Sequence, residues 1–335
     1  VDGGYQDVSF EYTPPEASAP DACAAVTAEA VSPPVDIIWI IDQSGSMGYE
    51  INQVKSNVNG NFANIIQNSG LDYRVIMFAN GTSSGTGVCV DPPLGAATCG
   101  ANNPPGFFQV NRTIASTNSF SLFMNATYWN EIKGHLRPEA YKAFIEVTDD
   151  QSSVTAAVFD TFLLTGAGAG YFGTEAKRNY VFHSICGVDK PLLPTDPKTN
   201  TKCSSAVNTG PQYQDLSILT GGLRHPVCDL DYSAVFNAIA TSIVQSVACE
   251  LLTPPTSSDA GVIDWSVVEV QYTPGDGSPP EVFGQVPSEA NCQGDGFYYD
   301  NPASPTKVLL CPDSCTKVQA DNAAKVELLL GCLGS

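Results

Sequence analysis

The sequence predicts an α/β protein built on a doubly wound, mostly parallel sheet, followed by a small disulfide-bonded, β-rich accessory domain. Three observations carry that prediction. Ile37-Ile38-Trp39-Ile40-Ile41 is a continuous apolar run, as expected of a strand buried on both faces. Ile51, Val54, Val58, Phe62, Ile65 and Ile66 then recur at helical spacing on one face. A second apolar run at residues 73–79 follows, which completes a strand–helix–strand unit.

Three regions follow from the pattern. In residues 1–34, Val8, Phe10 and Tyr12 alternate with polar residues as in a half-buried strand. Pro14-Pro15 ends it, and an Ala/Pro-rich connector runs to Pro34. Residues 35–251 form the main domain. Asn68-Ser69-Gly70 stops its first helix, and a Gly/Pro/Cys loop fills residues 80–106. Beyond it the pattern predicts strands at 107–115, 143–148 and 180–186, with helices over 120–132, 154–164 and 213–219. Val235, Phe236, Ile239, Ile243, Val244 and Val247 share one face of a last helix. The composition changes at Thr253-Pro254-Pro255, so residues 252–335 read as an accessory domain with strands at 265–272, 296–299, 308–311 and 326–331 and four cysteines.

Composition narrows the function. The 335 residues are 43% hydrophobic, enough to bury a sizeable core. The net charge is −20 although only 15% of residues are charged, so bases are scarce. Nucleic acid and anionic membrane surfaces, which need clustered Lys and Arg, are therefore excluded as partners. The chain has 11 cysteines without zinc-site spacing, which points to disulfides and an oxidising compartment. No run of about 18 apolar residues predicts a membrane span. Val1-Asp2-Gly3-Gly4 is not a signal segment, and the chain reads as the mature form of an exported, extracellular or cell-surface protein.

Two short strings suggest enzymes and fail on context. Gly168 to Gly173 matches GxGxxG, but too few residues separate it from the next strand for the required helix. Gly81 to Gly85 matches GxSxG with no helix after it. His183 lies in a buried strand and reads as a core residue. With no nucleophile–base pair, the chain is expected not to be an enzyme.

Asp42 and Asp149 each end a predicted strand and precede a polar turn. In a doubly wound sheet such positions share the ligand-binding end. Two carboxylates meeting there repel unless a cation lies between them, and Ser44 and Ser46 add hydroxyl oxygens in the Asp42 loop. Mg2+, Ca2+ or Mn2+ suits such an all-oxygen set. Few charged ligands leave net positive charge, which invites an anionic ligand.

Asp42-x-Ser44-x-Ser46 after a buried strand resembles the metal-ion-dependent adhesion site of von Willebrand factor A domains and integrin I domains, over residues 35–251. The resemblance implies that Asp149 and a second-loop hydroxyl, Ser116 or Thr117, complete the site, and that a partner's Asp or Glu takes the open coordination position. Pro34 to Trp39, Val147 to Asp150, Phe182 to Ile185, Leu219 to Leu223 and Leu310-Cys311-Pro312 are further similar to exported A-domain proteins of myxobacteria. The ends of an A domain lie close together, which implies a Cys23–Cys249 bridge. Loop closure suggests Cys89–Cys99, Cys203–Cys228, Cys292–Cys311 and Cys315–Cys332, with Cys186 left as a buried thiol. The expected role is adhesion to a protein ligand or surface polymer. The alternative is a self-associating subunit of an extracellular filament or coat, assembled by addition of the residue 8–12 strand.

Overall fold

The computed structural model describes residues 26–29, 34–69, 71–229, 231–253, 263–321 and 324–330. The strands in chain order begin with β1 (Val26–Glu29), β2 (Val35–Ile41), β3 (Tyr73–Phe78), β4 (Phe107–Val110) and β5 (Tyr141–Val147). They continue with β6 (Tyr180–Cys186), β7 (Arg224–Pro226), β8 (Glu250–Leu252) and β9 (Glu269–Thr273). The last four are β10 (Glu281–Phe283), β11 (Phe297–Tyr299), β12 (Lys307–Leu310) and β13 (Lys325–Leu330). The helices are α1 (Glu50–Asn57), α2 (Ala63–Asn68), α3 (Ser119–Phe123), α4 (Ala126–Lys133), α5 (Ala156–Leu164), α6 (Pro211–Thr220), α7 (Ser233–Ala248) and α8 (Pro312–Ala320).

The central sheet has six strands in the order β4-β3-β2-β5-β6-β7, and each of these pairings is parallel. The fold class is the expected one. Every residue of β2 is buried, and alternation divides them between two cores. Val35, Ile37, Trp39 and Ile41 pack with α1, α2 and α7 on one face. Ile38 and Ile40 pack with α3 to α6 on the other. Trp39 meets Phe62 and Phe236 edge-on, so it is a core residue. The chain builds outward from β2 through β3 to β4, then from β5 through β6 to β7. The direction therefore reverses between β2 and β5, and a crevice opens at their carboxyl ends.

The remaining strands form two antiparallel sheets, β1-β13-β9-β10 and β11-β12-β8, around a separate apolar cluster that includes Val270, Phe283, Phe297 and Leu328. Three expectations need correction. Residues 26–29, read as connector, are a strand paired with β13. The helix expected over 120–132 is two helices, because Asn125 adopts extended backbone and its side chain accepts from the Thr127 amide, which restarts the turn as an N-cap. The accessory region also contains a helix, α8, begun by Pro312 at its first position and Asp313 in its first turn. The strand expected at residues 8–12 lies outside the described residues.

Disulfides join Cys89–Cys99, Cys203–Cys228 and Cys292–Cys311, and Cys186 is a buried free thiol. The bridges expected for Cys23–Cys249 and Cys315–Cys332 are contradicted. Cys249 bonds Cys315 instead, because α8 brings Cys315 to the end of α7. Cys23 and Cys332 lie outside the described residues.

Candidate metal centre

The crevice between β2 and β5 receives Asp42 and Asp149. Ile41 pairs with Val147 in register, so the next residues, Asp42 and Thr148, emerge side by side. The Asp42 amide donates to the Val147 carbonyl at 2.9 Å. Asp42 is fully buried. Its Oδ1 accepts from the amides of Ser44 at 2.8 Å and Ser116 at 3.0 Å, and its Oδ2 accepts from Thr148 Oγ1 at 2.9 Å. Ser46 Oγ donates to Asp149 Oδ1 at 3.2 Å and lies 3.1 Å from Ser44 Oγ. Four residues named from the sequence, Asp42, Ser44, Ser46 and Asp149, thus form one connected cluster.

The second loop joins through its backbone. Ser116 has φ 35°, the one positive φ of a non-glycine residue among the described residues. Such a conformation is held only where its surroundings fix it. Here it aims the Ser116 amide at Asp42. Thr117 is anchored beside it, its carbonyl accepting from the Ser153 amide at 2.8 Å. Both residues are half-buried at the mouth of the site, whereas Ser46 is exposed.

Burial, opposed by its hydrogen bonds, raises the Asp42 carboxyl above its ordinary range. Asp149 is raised first by burial, against the Ser46 hydrogen bond, and then by the charges of Asp42, Glu50 and Asp150. Asp149 Oδ2 and Glu50 Oε2 are buried without a hydrogen-bond partner. No salt bridge reaches Asp42, Asp149 or Glu50 among the described residues. Nor do three His, Cys, Asp or Glu side chains converge as a metal site among them. A cation here would therefore draw on hydroxyl and water oxygens beside the two aspartates. That donor set fits a hard divalent ion.

Several contributing residues carry no motif. Thr148 fixes Asp42 Oδ2 but reads as the last residue of an apolar strand. Gln43, in a variable position of the motif, is 5% exposed and clamps the long loop. Its Nε2 donates to the carbonyls of Asn80 and Thr86, and its Oε1 accepts from the Asn80 amide. Glu50 is 4% exposed and accepts from Ser205 Oγ through Oε1. Glu146, on β5 beneath the site, is wholly buried, and burial lifts its carboxyl far above the ordinary range. His183 is a core residue whose Nδ1 accepts from the Leu223 amide, and burial pushes its pKa down to about 3.

No protein-family model and no curated protein matches the chain. Solved structures do. A von Willebrand factor type A protein from Catenulispora acidiphila aligns at 14% identity and TM-score 0.34 over 92% of this chain and 60% of its own. Proximal thread matrix protein 1 from the mussel byssus aligns at 15% identity and TM-score 0.32 over 68% of this chain and 51% of its own. This chain thus spans 60% or less of either relative. The six-stranded parallel sheet described above is Rossmann-like by its own topology.

Proposed function

We propose that this chain is an extracellular or cell-surface binding protein that holds a divalent cation at the β2–β5 crevice and presents it to a carboxylate of a partner. One observation carries the reading. Two buried carboxylates converge there with hydroxyls, one of them has an unpartnered oxygen, and among the described residues no salt bridge reaches either. Asp42 and Asp149, with Ser44, Ser46 and the hydroxyl of Ser116 or Thr117, would hold Mg2+, Ca2+ or Mn2+ in part through water. When bound, the ion supplies a Lewis-acidic position for an incoming carboxylate oxygen. The Ser116 and Ser44 amides and the Thr148 hydroxyl keep Asp42 oriented. The exposed Ser46 leaves the approach open.

An exported location agrees with the four disulfides among the described residues, in which no helix is long and apolar enough to cross a membrane. Calorimetric titration with Mg2+, Ca2+ and Mn2+ tests the centre. A saturable site in the wild type that is lost in Asp42→Ala is expected, and equal heats in both proteins would overturn the reading.

A further inference from the structure

The metal centre has an apolar rim. Tyr49 and Val207 are each 54% exposed, and both belong to the segments that build the site. Tyr49 follows Ser46 by three residues and caps the start of α1. The Val207 amide donates to the Asp149 carbonyl at 2.8 Å. Ser205 Oγ donates to Glu50 Oε1 at 3.1 Å. These two bonds tie the residue 203–209 loop to Asp149 and to Glu50 in the first turn of α1, and Tyr49 and Val207 stand exposed on those two segments.

Both side chains stand on fixed backbone. The Cys203–Cys228 bridge and the bond from Lys202 Nζ to the Ala206 carbonyl brace one loop, and the bond from the Asn52 amide to the Tyr49 carbonyl braces the other. Apolar groups held out into water on a braced frame offer a contact whose ordering cost has been met before binding. The floor beside Tyr49 is also clear. A Cβ at Gly45 or Gly48 would meet no atom within 4 Å. Charge narrows the partner further. The charges of Asp42, Glu50 and Asp150 each act on Asp149, and the chain carries −20 overall, so a second acid next to the coordinating one is repelled.

We infer that the site recognises a protein segment in which a single Asp or Glu stands next to a bulky apolar residue. The acid would go to the cation and the apolar side chain to Tyr49 and Val207. This deepens the metal-dependent reading above and rests on it.

The test compares two synthetic peptides, Gly-Gly-Phe-Glu-Gly-Gly and Gly-Gly-Gly-Glu-Gly-Gly, by NMR titration of the full chain in Mg2+ and in EDTA. Wild type and the double variant Tyr49→Ala/Val207→Ser are used, with Mg2+ calorimetry on each. Both changes are at exposed side chains outside the metal donors, so Mg2+ binding is expected to be equal in the two proteins. The Phe-Glu peptide is expected to bind wild type about ten-fold more tightly than the Gly-Glu peptide in Mg2+. The preference disappears in the double variant, and all binding disappears in EDTA. If Mg2+ binds but the two peptides bind alike or not at all, the rim inference is overturned and the metal centre stands. A preference that survives in the double variant overturns it too. If Mg2+ gives no heat, or peptide binding is unchanged by EDTA, both fall.

Discussion

Asp36 and Asp42 lie six residues apart on one segment, at opposite ends of the parallel sheet. Both are fully buried, and burial is the main force raising both carboxyls. Their surroundings differ in one respect. Asp36 accepts from the amide of Arg137 at 2.7 Å and from its Nε at 2.9 Å, and Lys142 Nζ lies 3.9 Å away on the neighbouring strand. Arg137 also bridges to Asp72 at 2.7 Å. Lys142 is itself fully buried, donates to the carbonyls of Arg137 and Ala140, and is pushed down to about 8 by burial. At the other end, among the described residues, the side chains of Asp42 and Asp149 accept hydrogen bonds from amides and hydroxyls and from no cation. Where a carboxylate locks the sheet, the chain supplies its own cations. Where it faces the crevice, the compensating charge is proposed to come from a bound cation.

This contrast makes graded predictions. The largest effect is at the locked end. Arg137→Met removes the guanidinium from Asp36, leaving it the more distant Lys142 and the main-chain amide, and is expected to cost about 3–5 kcal/mol in urea denaturation, with no recovery on adding Mg2+. A loss below about 1 kcal/mol would break the comparison. At the open end, Asp149→Asn removes a carboxylate that has no internal cation, so stability in EDTA is expected to hold or rise. With metal at about 100 times Kd, wild type gains about 2.7 kcal/mol in a melting experiment and the variant gains nothing.

Acidity sharpens the comparison next. The raised carboxyls of Asp42 and Asp149 mean that the metal-free folded state keeps protons that the unfolded chain has released. Their contribution to stability is therefore present below the ordinary value of 3.8 and lost as pH rises through the raised values. On the proposed reading a bound cation takes the place of those protons, so metal-dependent stabilisation should be greatest near neutral pH and shrink on acidification. A gain constant with pH, measured by melting with and without Mg2+, argues against these two ligands. The smallest effect is at Thr148. Thr148→Val frees Asp42 Oδ2 and should weaken Mg2+ affinity about ten-fold, and Thr148→Ser should restore it.

The parallel core was legible because β2 and β6, buried on both faces, are mostly apolar, and residues 37–41 of β2 form an unbroken apolar run. Asp42 and Asp149 were legible because an acid that ends such a run is carried by the sheet itself to the end where ligands bind. Thr148 was hidden because a threonine in a strand carries no polar signal of its own. Gln43 and Glu50 were hidden because their partners, Asn80, Thr86 and Ser205, lie far along the chain. Long-range pairing accounts for the other misses. β1 meets β13 from the far end of the chain, which periodicity cannot show. Pro312 and Asp313 did carry a helix-start signature, but they sit between two cysteines in a strand-rich stretch. Without α8, nothing in the sequence brings Cys315 to Cys249.

That bridge has a mechanical consequence. Cys249 follows the last turn of α7, Cys315 lies in α8, and the two are 66 positions apart in the chain. Tension drawn through the chain from the β-rich end passes from Cys315 to Cys249 across one covalent bond. Strands β8 to β12 fall inside the loop that the bridge bypasses. A pull on the final strands is thus delivered to α7, a helix packed directly against the sheet that ends in Asp42.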